Sequence, residues 1–171
     1  MKTFSLLFII ALLVSGCKSE KLTSEQIDSE KDKIKTRIET FLLSYAKKDM
    51  NTIISMLSSS KEFHFLGSDV SEISKEKSDF QNQLDQDWKL FDSVDFGEIR
   101  NLSIRISEGS DLAIAVFDAP MTVTVKGNQS KFFFRMSNTF VKENGLWQLA
   151  QGLGSIPSVG ESSVELIQKL K

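Results

Sequence analysis

Cysteine and histidine are almost missing from this chain of 171 residues, which has one of each. No intramolecular disulfide can form, and no Cys/His zinc site of the usual spacing can be assembled. Two prolines and nine glycines are too few for a collagen-like or low-complexity chain, and 40% hydrophobic against 26% charged residues is an ordinary globular composition. Neither sign of charge is in excess. With 21 Lys+Arg against 23 Asp+Glu the net charge is −2, so the electrostatic drive towards phosphates is absent and nucleic acid is not an expected partner. The loop acids Asp69, Glu72 and Asp79 do not follow calcium-loop spacing, so no metal and no other cofactor is expected. The length suits one domain with short appendages.

One long apolar run is present, and it lies at the start. Lys2 precedes Phe4 to Val14, 11 almost wholly apolar residues. That is shorter than the roughly 20 needed to span a bilayer as a helix, and it has the form of an export signal. The run closes on Leu13-Val14-Ser15-Gly16-Cys17, which resembles the lipobox of bacterial lipoproteins. The resemblance implies a signal peptide over 1–16, cleavage before Cys17, lipidation of its thiol and amine, and anchoring in a bacterial cell envelope. Residues 17–26 then serve as the lipidated residue and its tether.

Thr23 and Gln26 have capping-box spacing, and Ile34, Ile38, Phe41, Leu42 and Tyr45 recur at helical intervals, so 26–48 is expected to be an amphipathic helix. Asp49 can cap a short second helix bearing Met50, Ile53 and Leu57. Glu62 to Leu66 has the character of a short strand ending at Gly67. Phe80, Leu84, Trp88 and Phe91 mark a third helix, with Ser74 available as its cap. From Ile99 the period becomes two. Strands are expected from Ile99 to Ser107 and over roughly 112–126, 130–142 and 146–156, turning at Gly127-Asn128 and Asn144-Gly145. Strands of that length must bend, and Pro120, Gly152 and Gly154 are where bulges or kinks are permitted. Val164, Leu166, Ile167 and Leu170 suggest a short helix within a tail over 158–171.

This order of elements, with Tyr45-Ala46-Lys47-Lys48-Asp49-Met50, Phe65-Leu66-Gly67-Ser68-Asp69, Phe134-Arg135-Met136-Ser137 and Asn144-Gly145-Leu146-Trp147-Gln148-Leu149, resembles the SnoaL-like branch of the nuclear transport factor 2-like superfamily over residues 27–157. The resemblance implies an α+β cone: three N-terminal helices packed on a strongly curved antiparallel sheet, with a mostly apolar pocket at the open end and dimers formed through the other face of the sheet. Members include isomerases, dehydratases, polyketide cyclases and proteins without a reaction, so the fold alone does not select a function.

His64 stands three residues before Gly67, a position similar to that of the general base in ketosteroid isomerase, and an imidazole can exchange a proton near neutral pH. Alternation sets it opposite Phe63 and Phe65, towards pocket or solvent. Tyr45 is the one tyrosine. It is either a pocket hydroxyl or a core aromatic bonded to a carbonyl. Arg135 shares a strand face with Ser137 and Thr139; it either meets a ligand carboxylate, as the resemblance implies, or forms a cross-strand ion pair. Trp88 and Ser155 complete the expected ligand-binding set. Family members often carry histidines after the last-strand Trp, where this chain has Gln151, Gly152, Leu153 and Gly154, so a paired acid–base set is lacking.

These readings favour a pocket that binds a small, partly apolar molecule without catalysis. The alternatives are an isomerase, dehydratase or cyclase using His64 as base, and a dimerising interaction module. Leu112, Ile114 and Val116 alternate with Ala113, Ala115 and Phe117, so both faces of that strand are apolar and a homodimer is expected, the competing cover being the terminal helix of residues 161–171 folded back over this face in a monomer. For the anchor, Cys17→Ser is expected to abolish incorporation of labelled palmitate and to release or stall the protein. Continued membrane partitioning of that variant, beside a wild type that takes up no label, would sink the lipoprotein reading.

Overall fold

The computed structural model describes residues 22–60 and 62–157, together with Glu165, Gln168 and Lys169. The expected signal, Cys17 and most of the C-terminal tail lie outside the described residues. Among the described residues no helix is long and apolar enough to cross a membrane.

Helix α1 runs Ser24–Ala46, two residues earlier than the apolar period alone suggests, because the capping box is made in full. Gln26 N donates to Thr23 Oγ1 at 3.2 Å, and Thr23 N donates to Gln26 Oε1 at 2.8 Å. Lys48 then takes a positive φ of 56°, and Asp49 caps α2, Met50–Ser55, by accepting from Thr52 N at 3.1 Å. Helix α3 is Lys77–Leu90 and starts from Glu76. Ser74 is not its cap but belongs to strand β2, Ile73–Ser74, which pairs with β1, His64–Leu66.

Five further strands complete one sheet: β3 Ser93–Phe96, β4 Arg100–Ile106, β5 Leu112–Val125, β6 Asn128–Glu143 and β7 Leu146–Ser155. Its order is β2-β1-β7-β6-β5-β3, with β4 also on β5. The sheet is mixed, since β1 runs parallel to β7 while the other pairings are antiparallel. Strands β3 and β4 divide the edge of β5 between them, and the chain crosses at Gly97, whose N–H donates to Pro120 O at 2.7 Å. Asn144 and Gly145 both have positive φ, as a type I′ hairpin requires. The preceding hairpin turns on Lys126-Gly127, again both positive, rather than on Gly127-Asn128.

Two register shifts bend the sheet. One lies between Arg100 and Ser103, where Asn101 has φ 52°. In the other, Phe140 faces Leu149 while Thr139 faces Gln151, so Ala150 is the extra residue of β7. The inner face packs on α1 and α3 around Ile34, Ile38, Phe41, Phe80, Leu84, Ala113, Ala115, Phe117, Met136, Phe140, Trp147 and Leu149, all buried.

Glu30 fastens the start of α1 to the β6–β7 hairpin. Its carboxylate accepts from Trp147 Nε1 at 2.7 Å and pairs with Lys142 and Lys33, each at 2.8 Å. Burial would raise its pKa, but these donors outweigh it and hold the group down to about 2, from an ordinary 4.5. A carboxyl depressed in the folded state stabilises fully above its unfolded pKa and loses that contribution as pH falls through the folded one. Glu30→Gln is therefore expected to cost up to roughly 3 kcal/mol at neutral pH. The gap from wild type should close between pH 4.5 and about 2, as read by denaturant unfolding across that range. A gap that does not change with pH would refute the charge-based account.

Candidate functional site

Between α1, α3 and the inner face of the sheet lies a cavity of about 100 Å³. Its walls are mainly aromatic and aliphatic: Phe41 and Leu42 from α1, Phe80 and Leu84 from α3, Phe65 from β1, and Phe134 and Met136 from β6. Phe80 is the hub, with ring centroids 4.7 Å from Phe65 and 5.5 Å from Phe63. The space exists because two glycines on β7 let rings lie across the strand. A Cβ at Gly152 would fall 2.5 Å from Phe65 Cδ2, and one at Gly154 would fall 2.5 Å from Phe134 Cζ. Both glycines face inward only because the bulge at Ala150 reverses the alternation begun by Trp147 and Leu149.

One end of the cavity is polar. Tyr45, near the end of α1, directs its hydroxyl to Asp87 Oδ2 at 3.4 Å, and Gln83 Nε2 donates to Asp87 Oδ1 at 2.8 Å. Glu72 stands beside them, its backbone N–H and C=O engaged with Asp69 and Gly67 and its Oε2 accepting from Asp69 N at 3.0 Å. Burial raises the pKa of Asp87, and the nearby negative charge of Glu72 adds to this. Burial also pushes Tyr45 well above the ordinary 10.0, with Asp87 reinforcing it. Beyond this polar end a groove of about 200 Å³ continues outward past Leu90, Phe91, Val94, Val123 and Ile156, and it shares Tyr45, Glu72, Asp87, Met121 and Phe134 with the cavity. Among the described residues no group of three or more His, Cys, Asp or Glu gathers closely enough to hold a metal ion.

The five side chains expected at the pocket are divided by the sheet. Tyr45 lines the cavity, bonded to a carboxylate and not to a backbone carbonyl. Trp88 packs edge-on against Tyr45 at 6.0 Å, and its indole N–H is buried without a hydrogen-bond partner among the described residues. His64, Arg135 and Ser155 are on the opposite, outer face. His64 is exposed beside Leu66, Ser137, Thr139, Gln151 and Leu153 in a shallow depression. Its orientation follows from parity, since Phe65 is the residue that faces in against Gly152. Arg135 is register partner to Asp118 and donates from Nε to Asp118 Oδ1 at 2.8 Å. With Asn101 donating to Oδ2 at 2.7 Å, Arg135 and then Asn101 hold the Asp118 carboxyl below its usual range. Ser155 lies beside Arg135, carried outward by the Ala150 bulge; without that bulge, alternation from Trp147 would turn it inward.

Asp87 and Gln83 were not legible as site residues from spacing alone. The signal was there in coarser form: both lie one turn from Phe80 or Leu84 on α3, so each is a polar group at the edge of a buried helical stripe.

The fold and the cavity define an α+β cone of the nuclear transport factor 2-like kind, enclosing an apolar space with one acidic end. The SnoaL-like domain family model matches residues 34–158, and the chain belongs to that family. Comparison with curated proteins gives no match. Among solved structures, a candidate scytalone dehydratase from Novosphingobium aromaticivorans superposes with a TM-score of 0.71 at 8% identity, covering 82% of this chain and 99% of the other. A nuclear transport factor 2-like superfamily protein from Salmonella enterica gives 0.69 at 22% identity over 80% and 99%. One of unknown function from Pseudomonas putida gives 0.65 at 18% over 79% and 91%. At these identities the likeness is one of fold.

Because Tyr45 is the sole tyrosine, its environment can be read directly by ultraviolet titration. The folded protein is expected to show no tyrosinate absorbance at about pH 11, where an unfolded chain is mostly ionised. Stability should fall as pH rises through the unfolded value near 10, because only the unfolded state then releases the proton. Asp87→Asn should move the folded titration downward, while ordinary tyrosinate formation in folded wild type would refute the buried Tyr45–Asp87 pair.

Proposed function

We propose that the chain is a bacterial envelope lipoprotein, held to a membrane through lipidated Cys17, whose SnoaL-like domain binds a small, partly apolar molecule without transforming it. The observation that carries the binding reading is the cavity itself: aromatic walls closed around an apolar space, with Tyr45, Gln83 and Asp87 at one end to orient an occupant. Among the described residues no histidine, cysteine or lysine lines it, and the tyrosine and aspartate are bonded to each other. An isomerase, dehydratase or cyclase with His64 as base is disfavoured, because that imidazole is separated from the cavity by the sheet.

The outer face supports a second part of the proposal. Leu112, Ile114 and Val116 form a row along β5 that is 41–44% exposed, with Phe133 on β6 and Leu153 on β7 exposed on the same face beyond Ser137 and the Asp118–Arg135 pair; apolar side chains exposed in this number support an interaction surface. A second copy of the chain covers it, in an isologous contact.

Native mass spectrometry of the full chain extracted from its own host tests both parts at once. The expected species is a dimer carrying a bound small molecule. Met121→Trp puts an indole where cavity and groove meet and should strip the ligand. Ile114→Lys should give monomers. A bare wild type, or a ligand mass retained by Met121→Trp, would overturn the pocket reading, and a monomeric wild type would overturn the dimer.

A further inference from the structure

The polar end of the cavity has a sign. Resting on the reading of the cavity as a ligand pocket, we propose that its occupant is a cationic amphiphile: an apolar ring or short chain in the cavity, an ammonium-type head between Asp87 and Glu72, and any remaining apolar part in the outer groove.

Size supports the division. A cavity of about 100 Å³ is smaller than the roughly 150 Å³ that admits benzene in an engineered core. Only a small apolar group fits inside, and a larger ligand must continue past Tyr45 into the groove of about 200 Å³. The junction between the two spaces is therefore where the ligand's polar atoms fall. Five residues line both sides of it, and two of them are carboxylates, Asp87 and Glu72.

Charge selects the head group. Among the described residues no lysine or arginine lines either space. The nearby Lys48 ammonium is occupied elsewhere, donating to Trp88 O at 2.8 Å and Phe91 O at 3.0 Å over the Phe91 ring. Arg135, the residue expected from sequence to meet a ligand carboxylate, is on the other face of the sheet, paired with Asp118. Among the described residues an anionic ligand would meet two like charges and no counter-ion, whereas a cation would neutralise a partly buried acid pair. The remaining junction residues suit a cation as well, since Tyr45 and Phe134 present aromatic rings to the same space. Gln83 and Tyr45 already occupy one lone pair on each oxygen of Asp87, and each oxygen keeps another for an N–H donor.

Calorimetric titration of the full chain in non-ionic detergent at about pH 8, where an alkylamine is still charged, compares three probes of one shape: hexylamine, hexan-1-ol and hexanoate. Hexylamine is expected to bind about tenfold tighter than hexanol, and hexanoate more weakly than either. Asp87→Asn should bring the ratio of amine to alcohol affinity from about ten down to about one. Glu72→Gln should produce a smaller loss of the same kind, and it carries the test if circular dichroism shows Asp87→Asn unfolded. Met121→Trp should weaken all three. Equal binding of amine and alcohol, or tightest binding of hexanoate, overturns the cationic assignment. If the alcohol still binds wild type and is lost in Met121→Trp, the pocket reading survives that result. If none of the three binds wild type, both fall together.

Discussion

The extra residue in β7 decides which chemistry each side of the sheet carries. Before Ala150, Trp147 and Leu149 face the helices; after it, Gly152 and Gly154 do. A strand is read with period two, so one inserted residue exchanges its faces from that point onward. Here the exchange turns two glycines inward, and on that depends the room for Phe65 and Phe134 to lie across the strand. Those rings are walls of the cavity. The same exchange sends Gln151, Leu153 and Ser155 to the outer face, so polarity and bulk are moved out of the cone by one residue.

Electrostatics are partitioned in the same way. On the outer face a cross-strand Arg135–Asp118 pair, braced by Asn101, satisfies its own charges. Inside, Asp87 and Glu72 stand without a basic neighbour among the described residues that line their space. The inner row of β5 is mostly alanine, at Ala113, Ala115 and Ala119, while its outer row carries Leu112, Ile114 and Val116. Bulk on the inner side is supplied by the helices and by β6, so the shape of the cavity is set by α1, α3 and the rings of Phe65 and Phe134 rather than by the central strand.

Much of this architecture was legible from local chemistry. The Thr23–Gln26 capping box, the Asp49 cap and the Asn144-Gly145 turn each act within a few residues, and each appears as read. What was not legible depends on partners distant in sequence. Strand β3 is four residues long and exists because the edge of β5 beyond Pro120 offers it a ladder. Strand β1 is held by a parallel pairing with β7, some 87 residues away for His64 and Gln151. The glycines at 152 and 154 pointed to a bulge in this strand, but it falls at Ala150, before both of them, and that one-residue placement, which decides the parity of Ser155, could not be read. Tyr45 was found because it lies on the apolar stripe of its own helix; Asp87 was missed because a carboxylate at the edge of such a stripe reads as solvated until a second element covers it.

The bond from the Trp147 indole to Glu30 spans 117 residues. Its two ends enclose the intervening helices and most of the long antiparallel meander, and the loop entropy of closing that span is set against what the contact contributes. A contact of this range joins the start of α1 to the last hairpin of the sheet, so loosening either end is felt at the other. The first turns of the N-terminal helix are thus kept on the domain by a contact that, while made, restrains the opening of the whole cone.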